Sequence, residues 1–341
     1  MKTTNMAVWA TEIMKSGKRE ALPIMTHPGI EILGKTVREA VTDGAVHAAA
    51  VEAVAKRYPA AAATVIMDLT VEAEAFGAEV VFPEDEVPSV VGRLLNNEQD
   101  IEALKVPSLT VGRVPEYLRA NLLLSRSITD RPVFAGCIGP YSLAGRLYDM
   151  SEMMMLICVN PTAARTLLAK CTEFLIHYCL ALKACGVQGV IMAEPAAGLL
   201  SDDDCRLFSS VFVKEIVERV QDDDFMLVLH NCGNTGQCTH AMVTSGAAAY
   251  HFGNKIDMVE ALRDCPSNVP VMGNLDPVCV MQQMSPEEVR RETLALMDQA
   301  AAYPNFVVSS GCDIPPYTPE ANIDAFFEAV KEWNEQHVPQ C

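Results

Sequence analysis

The runs GVIMA at 189–193 and FMLVLH at 225–230, the first followed by Glu194-Pro195 and the second by Asn231-Cys232, decide the fold. Each is a continuous apolar stretch rather than an alternation, which is how a parallel strand covered on both faces reads. Asp202 to Val220, between them, has helical spacing, so strand, helix and strand follow one another. The rhythm extends in both directions. Upstream lie LPIMT (22–26), TVIMD (64–68) and PVFAG (132–136); downstream lie AAAYHF (247–252), VPVMG (269–273) and NFVVSS (305–310). Helical periodicity fills Val37 to Arg57, Pro161 to Cys185, Asp257 to Asp264, Pro286 to Ala302 and Pro319 to Glu335. Ser285-Pro286-Glu287-Glu288 and Thr318-Pro319-Glu320 place a capping hydroxyl before a first-turn proline and acids. Eight strands alternating with helices, and no glycine-rich dinucleotide fingerprint, predict an α/β fold of the (β/α)8 TIM-barrel type. The gap 69–131 is too long for one helix, and VVFPEDEVPSVVG (80–92) reads as a hairpin or excursion inserted between strands two and three. With no repeat and no low-complexity linker, the expectation is a single barrel domain over 1–341, with 1–20 as a helical lead-in.

Composition narrows the function. The chain of 341 residues carries 44 acidic and 26 basic side chains, a net charge of −18, which argues against phosphate-backbone binding and so against nucleic acid. Mean hydropathy is +0.15, yet the uncharged stretch Phe225 to Asn254 is full of His, Asn, Gly, Ser and Thr, so no membrane span is expected. The N-terminus, MKTTNMAVWATEIMKSGKRE, has charges at intervals and no apolar core before a small-residue cleavage site. A cytoplasmic protein is expected. Twelve cysteines are too sparse for a disulfide scaffold, and in a reducing compartment most are core thiols, to be searched for metal sites before disulfides.

In a barrel of this kind the residues just after each strand converge on one mouth. They are His27, Asp68, Glu194, His230, Asn231, Cys232, His251, Asn274, Asp276, Cys312 and Asp313. His230 and Cys232 form an H-x-C pair, and Cys312 ends the eighth strand. An imidazole and two thiolates select zinc, and three protein ligands leave a fourth, reactive position open. The plainer alternative is two core thiols beside a hydrogen-bonded histidine. Cys238 and His240 follow the pair closely but should start the next helix and point elsewhere. Asp276, in GNLDP, is expected to hold a turn before proline, and Met150, Met153, Met154 and Met155 to pack as helix core. Arg146 and Lys255 are near the mouth, either as solvated surface charge or as an anchor for an anionic group.

MDLTVEAEAFGAEV (67–80), GPYSLAGRL (139–147), GNLDP (273–277) and SSGCDIPPYTPEANIDAF (309–326) resemble the uroporphyrinogen decarboxylase superfamily, a (β/α)8 barrel, over nearly all of the chain. That resemblance implies one of two chemistries: cofactor-free decarboxylation of a tetrapyrrole, or zinc-dependent methyl transfer from a methylated corrinoid protein to a thiol such as coenzyme M. The decarboxylases carry an arginine-rich RQAGR-type segment after strand one, where this chain has MTHPGIEILG (25–34). Without those arginines, and at net charge −18, counter-ions for an octacarboxylate are missing. The methyltransferase pattern of His-x-Cys and a late Cys falls on His230, Cys232 and Cys312.

The resemblance therefore implies Zn²⁺ at His230, Cys232 and Cys312, and methylcobalamin or another corrinoid supplied by a partner protein that caps the mouth. Zinc would hold the incoming thiol as a thiolate for in-line attack on the methyl group. Asp68 and Glu194 are the candidate catalytic carboxylates, Glu194 as fourth ligand or as hydrogen-bond partner of His230, with loop-amide and helix-capping roles as their structural alternatives. His27, His251 and Asn274 are the candidate substrate-binding residues, His251 alternatively a satisfied core histidine. A non-catalytic corrinoid- or tetrapyrrole-binding barrel is the third reading, and oligomeric state is not legible.

Overall fold

The computed structural model describes residues 5–337. Its frame is nine strands: β1 (Ala63–Thr64), β2 (Val80–Val81), β3 (Ser89–Val90), β4 (Val133–Ile138), β5 (Gly189–Ala193), β6 (Met226–Asn231), β7 (Ala249–Phe252), β8 (Val271–Leu275) and β9 (Phe306–Ser310). Seven form one parallel sheet in the order β1-β4-β5-β6-β7-β8-β9, while β2 and β3 pair antiparallel with each other. That hairpin is the predicted excursion, and the rest of the insertion is helical at Val71–Phe76, Glu98–Ala103 and Val114–Ser127.

The sheet curls into a TIM-barrel-like ring, and the expected first strand joins its ends by single bonds rather than a ladder. Ala21 bridges Val308 of β9, Leu22 N donates to Val308 O at 2.9 Å, and Ala61 N donates to Ala21 O at 2.8 Å. Pro23 lacks the N–H that a longer ladder needs. The second expected strand shortens likewise: only Ala63–Thr64 form a ladder, and beyond them Val65 N makes a longer single bond to Phe134 O at 3.3 Å.

Strand residues alternate between two apolar layers. Leu22, Ile24, Phe134, Ile191, Val228, Met272 and Val307 fill the barrel interior, whereas Val190, Met192, Leu227 and Leu229 meet the surrounding helices. This is the filled barrel expected of eight strand positions, each side chain removing its apolar area from water at about 25 cal/mol per Å². The N-terminal helix Met6–Lys15 adds Met6 and Ile13 to the interior cluster, and Trp9 stands edge-on to Phe134 at 5.7 Å. Residues 1–4 of the expected lead-in, and 338–341 of the expected domain, lie outside the described residues.

Two predicted helices are interrupted. Val37–Thr42 and Gly44–Arg57 are separate because Asp43 caps Ala45 N at 2.7 Å, and Gly44 packs so closely on the helix carrying Glu116 that a Cβ would stand 2.2 Å from its carbonyl oxygen. Asp202–Cys205 and Val211–Val220 are joined by a π turn over Arg206–Ser210. Ser285 caps its helix with Glu288 in a reciprocal box, but Thr318 instead donates its hydroxyl to Pro315 O at 2.8 Å. Among the described residues no helix is long and apolar enough to cross a membrane.

Candidate metal centre and mouth cavity

β6 lies at the centre of the sheet and all six of its residues are buried. Its register sets His230 between Ala193 of β5 and His251 of β7. Cys232 follows in the turn, where Asn231 Oδ1 accepts from Gly233 N at 2.9 Å. Cys312 reaches the same place from β9 through two close backbone approaches. A Cβ on Gly253 would lie 2.6 Å from Cys232 Cα, and one on Gly311 would lie 2.7 Å from Asn254 N. The loops after β6, β7 and β9 therefore stack with only hydrogen atoms between them, which brings the two cysteines together.

One ligand atom each from His230, Cys232 and Cys312 lies within 4.8 Å of the others, the one such group of three His, Cys or carboxylate residues among the described residues. Nε2 of His230 is buried and has no hydrogen-bond partner, while its Nδ1 lies 2.8 Å from Nδ1 of His251. An unpaired lone pair in the interior is costly unless a ligand meets it. The thiols polarise one another: the hydrogen bond from Cys312 holds Cys232 down at about 7 against burial, and the same contact pushes Cys312 up to about 12. The donor set of one neutral imidazole and two thiols fits a tetrahedral zinc site with an open position.

A cavity of about 360 Å³ opens on this cluster. His27, Cys232, Cys312 and Asp313 supply its polar wall, Met67, Leu69 and Pro315 its apolar wall, and Glu86 and Val87 reach over it from the β2–β3 hairpin. Among the described residues no lysine or arginine lines it. Burial holds His27 down at about 4 and pushes the Asp313 carboxyl well up; the two side chains lie 3.7 Å apart.

His27, His230, Cys232 and Cys312 thus meet at one mouth, and four other expected site residues do not line it. Asp68 is buried against Thr70, Tyr117 and Arg113: Oδ1 accepts from Thr70 N at 3.0 Å, and Oδ2 accepts from the Tyr117 hydroxyl at 2.8 Å and from Arg113 Nη1. Glu194 accepts from Tyr141 N at 2.9 Å and Ser142 N at 2.6 Å, seated on the N-terminus of the helix Pro140–Tyr148. Its backbone N donates to His230 O at 2.8 Å, but its carboxylate makes no bond to the His230 ring; the ring contact belongs to His251, a fully buried residue and not a cavity wall. Asn274 donates to Gly253 O at 2.9 Å and Ile256 O at 2.8 Å, so it fixes the loop that lies on Cys232.

The secondary expectations divide in the same way. Asp276 accepts from Val278 N at 2.9 Å and Cys279 N at 2.7 Å, holding the turn as anticipated. Cys238 is buried, with its thiol on the carbonyls of Ala197 and Leu200, and His240 is exposed near Asp264. Met153 packs in the core, but Met154 and Met155 are exposed. Arg146 lines an adjoining cavity of about 310 Å³ that shares Leu69 with the first. The sequence carries no signal for Arg113 or Glu86, whereas Asp313, expected at the mouth beside Cys312, lines the cavity.

A model of the family described as uroporphyrinogen decarboxylase (URO-D) matches residues 19–333. The chain belongs to the uroporphyrinogen decarboxylase family. Both chemistries are found among relatives of this family member. A methylcobamide:CoM methyltransferase of Methanosarcina acetivorans is 29% identical over 276 residues, 80% of each chain. A uroporphyrinogen decarboxylase of Legionella pneumophila is 25% identical over 290 residues, 83% of this chain and 81% of its own. Among solved structures, a methyltransferase from Methanosarcina mazei matches with a TM-score of 0.86 over 97% of this chain and 99% of its own, at 23% identity. That last likeness is one of fold.

Proposed function

We propose that the chain is a zinc-dependent methyltransferase that moves a methyl group from protein-bound methylcobalamin to a small thiol such as coenzyme M. The observation that carries the reading is the unpartnered Nε2 of His230 beside the thiols of Cys232 and Cys312. The relatives named methyltransferase support the enzyme class. A cavity wall that among the described residues has no lysine or arginine, and that has carboxyls from Glu86 and Asp313, is unsuited to a substrate carrying many carboxylates, which counts against the decarboxylase alternative.

Zinc held by His230, Cys232 and Cys312 would lower the pKa of an incoming thiol and keep its sulfur electron-rich, since two thiolates offset the ion's charge. The chain's own residues prepare the rest. His230 offers a fixed lone pair, Cys232 gives up its proton near neutral pH, and the apolar wall of Met67, Leu69 and Pro315 limits water beside the reacting sulfur. His27, neutral and buried, lines the thiol's path. The methylated corrinoid protein is the second substrate and docks over the mouth; as the new sulfur–carbon bond forms, the cobalt–carbon bond breaks and cobalt keeps the electron pair. A cytoplasmic location belongs to the same reading, because a reducing compartment keeps such thiols available.

Metal content and turnover test it together. Protein purified without added metal should hold about one zinc per chain, and should demethylate methylcobalamin in the presence of a thiol, followed by the absorbance of cob(I)alamin. Cys312→Ala should lose both. Absence of zinc together with decarboxylation of a tetrapyrrole would establish the alternative chemistry, and corrinoid binding without turnover by the zinc-loaded protein would leave a binding barrel.

A further inference from the structure

A line of hydrogen bonds crosses the barrel interior from the first chain segment to the thiol cluster. Ser309 Oγ, on β9, donates to Leu22 O at 2.7 Å; its other acceptor within reach is Ser310 O at 3.0 Å. Both are carbonyls, which only accept, so the one hydroxyl proton is committed to them. His251 Nε2, on β7, lies 2.8 Å from the same oxygen and must therefore be the donor. A neutral imidazole carries a single N–H, which leaves His251 Nδ1 as a lone pair. That lone pair faces His230 Nδ1 at 2.8 Å, and His251 O lies 3.3 Å from the same His230 nitrogen. Two acceptors converge on one ring nitrogen, so the proton of His230 sits there and its Nε2 is bare. Ser309 and His251 are fully buried and His230 is 1% exposed, so bulk water cannot substitute for a missing link.

We infer that Ser309 and His251 are positioning residues that hold His230 in the Nδ1-protonated tautomer, so that Nε2 stands ready as a metal ligand. The inference rests on the zinc reading of the cluster and adds what that reading lacks: the groups that choose which ring nitrogen faces the metal. Partners of this kind orient a ligating imidazole and raise its basicity, and losing them typically weakens metal binding about 10- to 100-fold.

Two measurements test it. On the full-length, metal-free protein with ¹⁵N-labelled histidine, long-range proton–nitrogen correlation spectra report which nitrogen of each ring is protonated. His251 should be protonated at Nε2 and His230 at Nδ1; a proton on His251 Nδ1, or on His230 Nε2, overturns the inference. Zinc affinity, read by competition with a chromophoric chelator, should fall about 10- to 100-fold in Ser309→Ala and in His251→Phe, while Ser309→Thr, which keeps the hydroxyl, restores it. A folded Ser309→Ala protein that binds zinc as tightly as the unaltered chain also overturns it. If the unaltered chain takes up no zinc, the metal reading itself fails and this role fails with it; if it binds zinc and the variants match it, only the positioning role fails.

Discussion

Gly253 lies directly on Cys232: a Cβ at position 253 would stand 2.6 Å from Cys232 Cα and 2.9 Å from both its Cβ and its carbonyl oxygen. Those neighbours are backbone or the stub of a side chain, so nothing flexible can yield. Gly253→Ala should push the β6 and β7 loops apart. Overpacking of this kind costs about 1–3 kcal/mol of stability, read as a lowered urea midpoint. Because Cys232 moves with its loop, zinc should also bind more weakly than to the unaltered chain. A variant with unchanged zinc affinity and midpoint would show that the loops are not held at this contact.

Asp68, a catalytic candidate from its position at a strand end, has its carboxylate engaged by Thr70, Tyr117 and Arg113, and that setting predicts a structural role. Its side chain is fully buried and pairs with Arg113, itself 7% exposed on its side chain. Asp68→Asn leaves that guanidinium with Glu74, at 2.7 Å, as its remaining carboxylate partner. Removing one member of a buried pair costs about 3–5 kcal/mol, and the surviving Glu74 contact points to the lower end of that range. The expected result is a large drop in unfolding free energy with zinc stoichiometry intact. Full stability with abolished turnover would instead return Asp68 to the catalytic group.

These two residues show how far the sequence could be read. Continuous apolar runs mark buried parallel strands by composition alone, so β5 and β6 stand where GVIMA and FMLVLH predict, and strand order places His230, Cys232 and Cys312 at one mouth. The edges were less legible, because Pro23 interrupts the first strand and pairing ends after Thr64 in the second, and composition does not distinguish either from a full strand. Strand-end placement also says which rim a residue occupies but not which way it turns. Asp68 meets an arginine 45 residues away, Glu194 meets a helix N-terminus, and Asn274 meets a neighbouring loop. Such partners come from tertiary packing, and no spacing rule encodes them. His251 was legible as a buried histidine; its contact with His230 follows from register, once β6 and β7 are known to be neighbours.

Glu72 gives a prediction in pH. It is 1% exposed, its Oε1 accepts from Ile138 N at 3.0 Å, and its Oε2 has no partner. Burial, reinforced by the nearby Asp68 charge, pushes its carboxyl from an ordinary value of 4.5 up to about 8. A raised native pKa means that the folded state holds the proton more tightly than the unfolded chain does. Its stabilising contribution is therefore complete below 4.5 and is lost progressively as pH rises toward 8. The slope is at most about 1.4 kcal/mol per pH unit for one group. Glu72→Gln keeps an oxygen for Ile138 and does not titrate. Its urea midpoint should therefore fall less than that of the unaltered chain between those two values, and parallel midpoint curves would refute the assignment.

The thiol pair makes the metal-free protein selectively reactive. Cys232 is partly exposed and held down at about 7 by the Cys312 hydrogen bond, whereas that same bond pushes Cys312 up to about 12. The thiolate is the reacting form, so alkylation of Cys232 by iodoacetamide, mapped by peptide mass spectrometry, should be slow in acid and rise with a midpoint near 7. Cys312→Ala removes the donor and should move that midpoint up, toward the ordinary thiol value of about 8.5. Zinc should suppress the reaction in the unaltered chain, because a coordinated thiolate has its lone pairs engaged. Protection by zinc that persists in Cys312→Ala to the same degree would mean that Cys312 is not a ligand, whereas its loss, with the raised midpoint, assigns both sulfurs to one site.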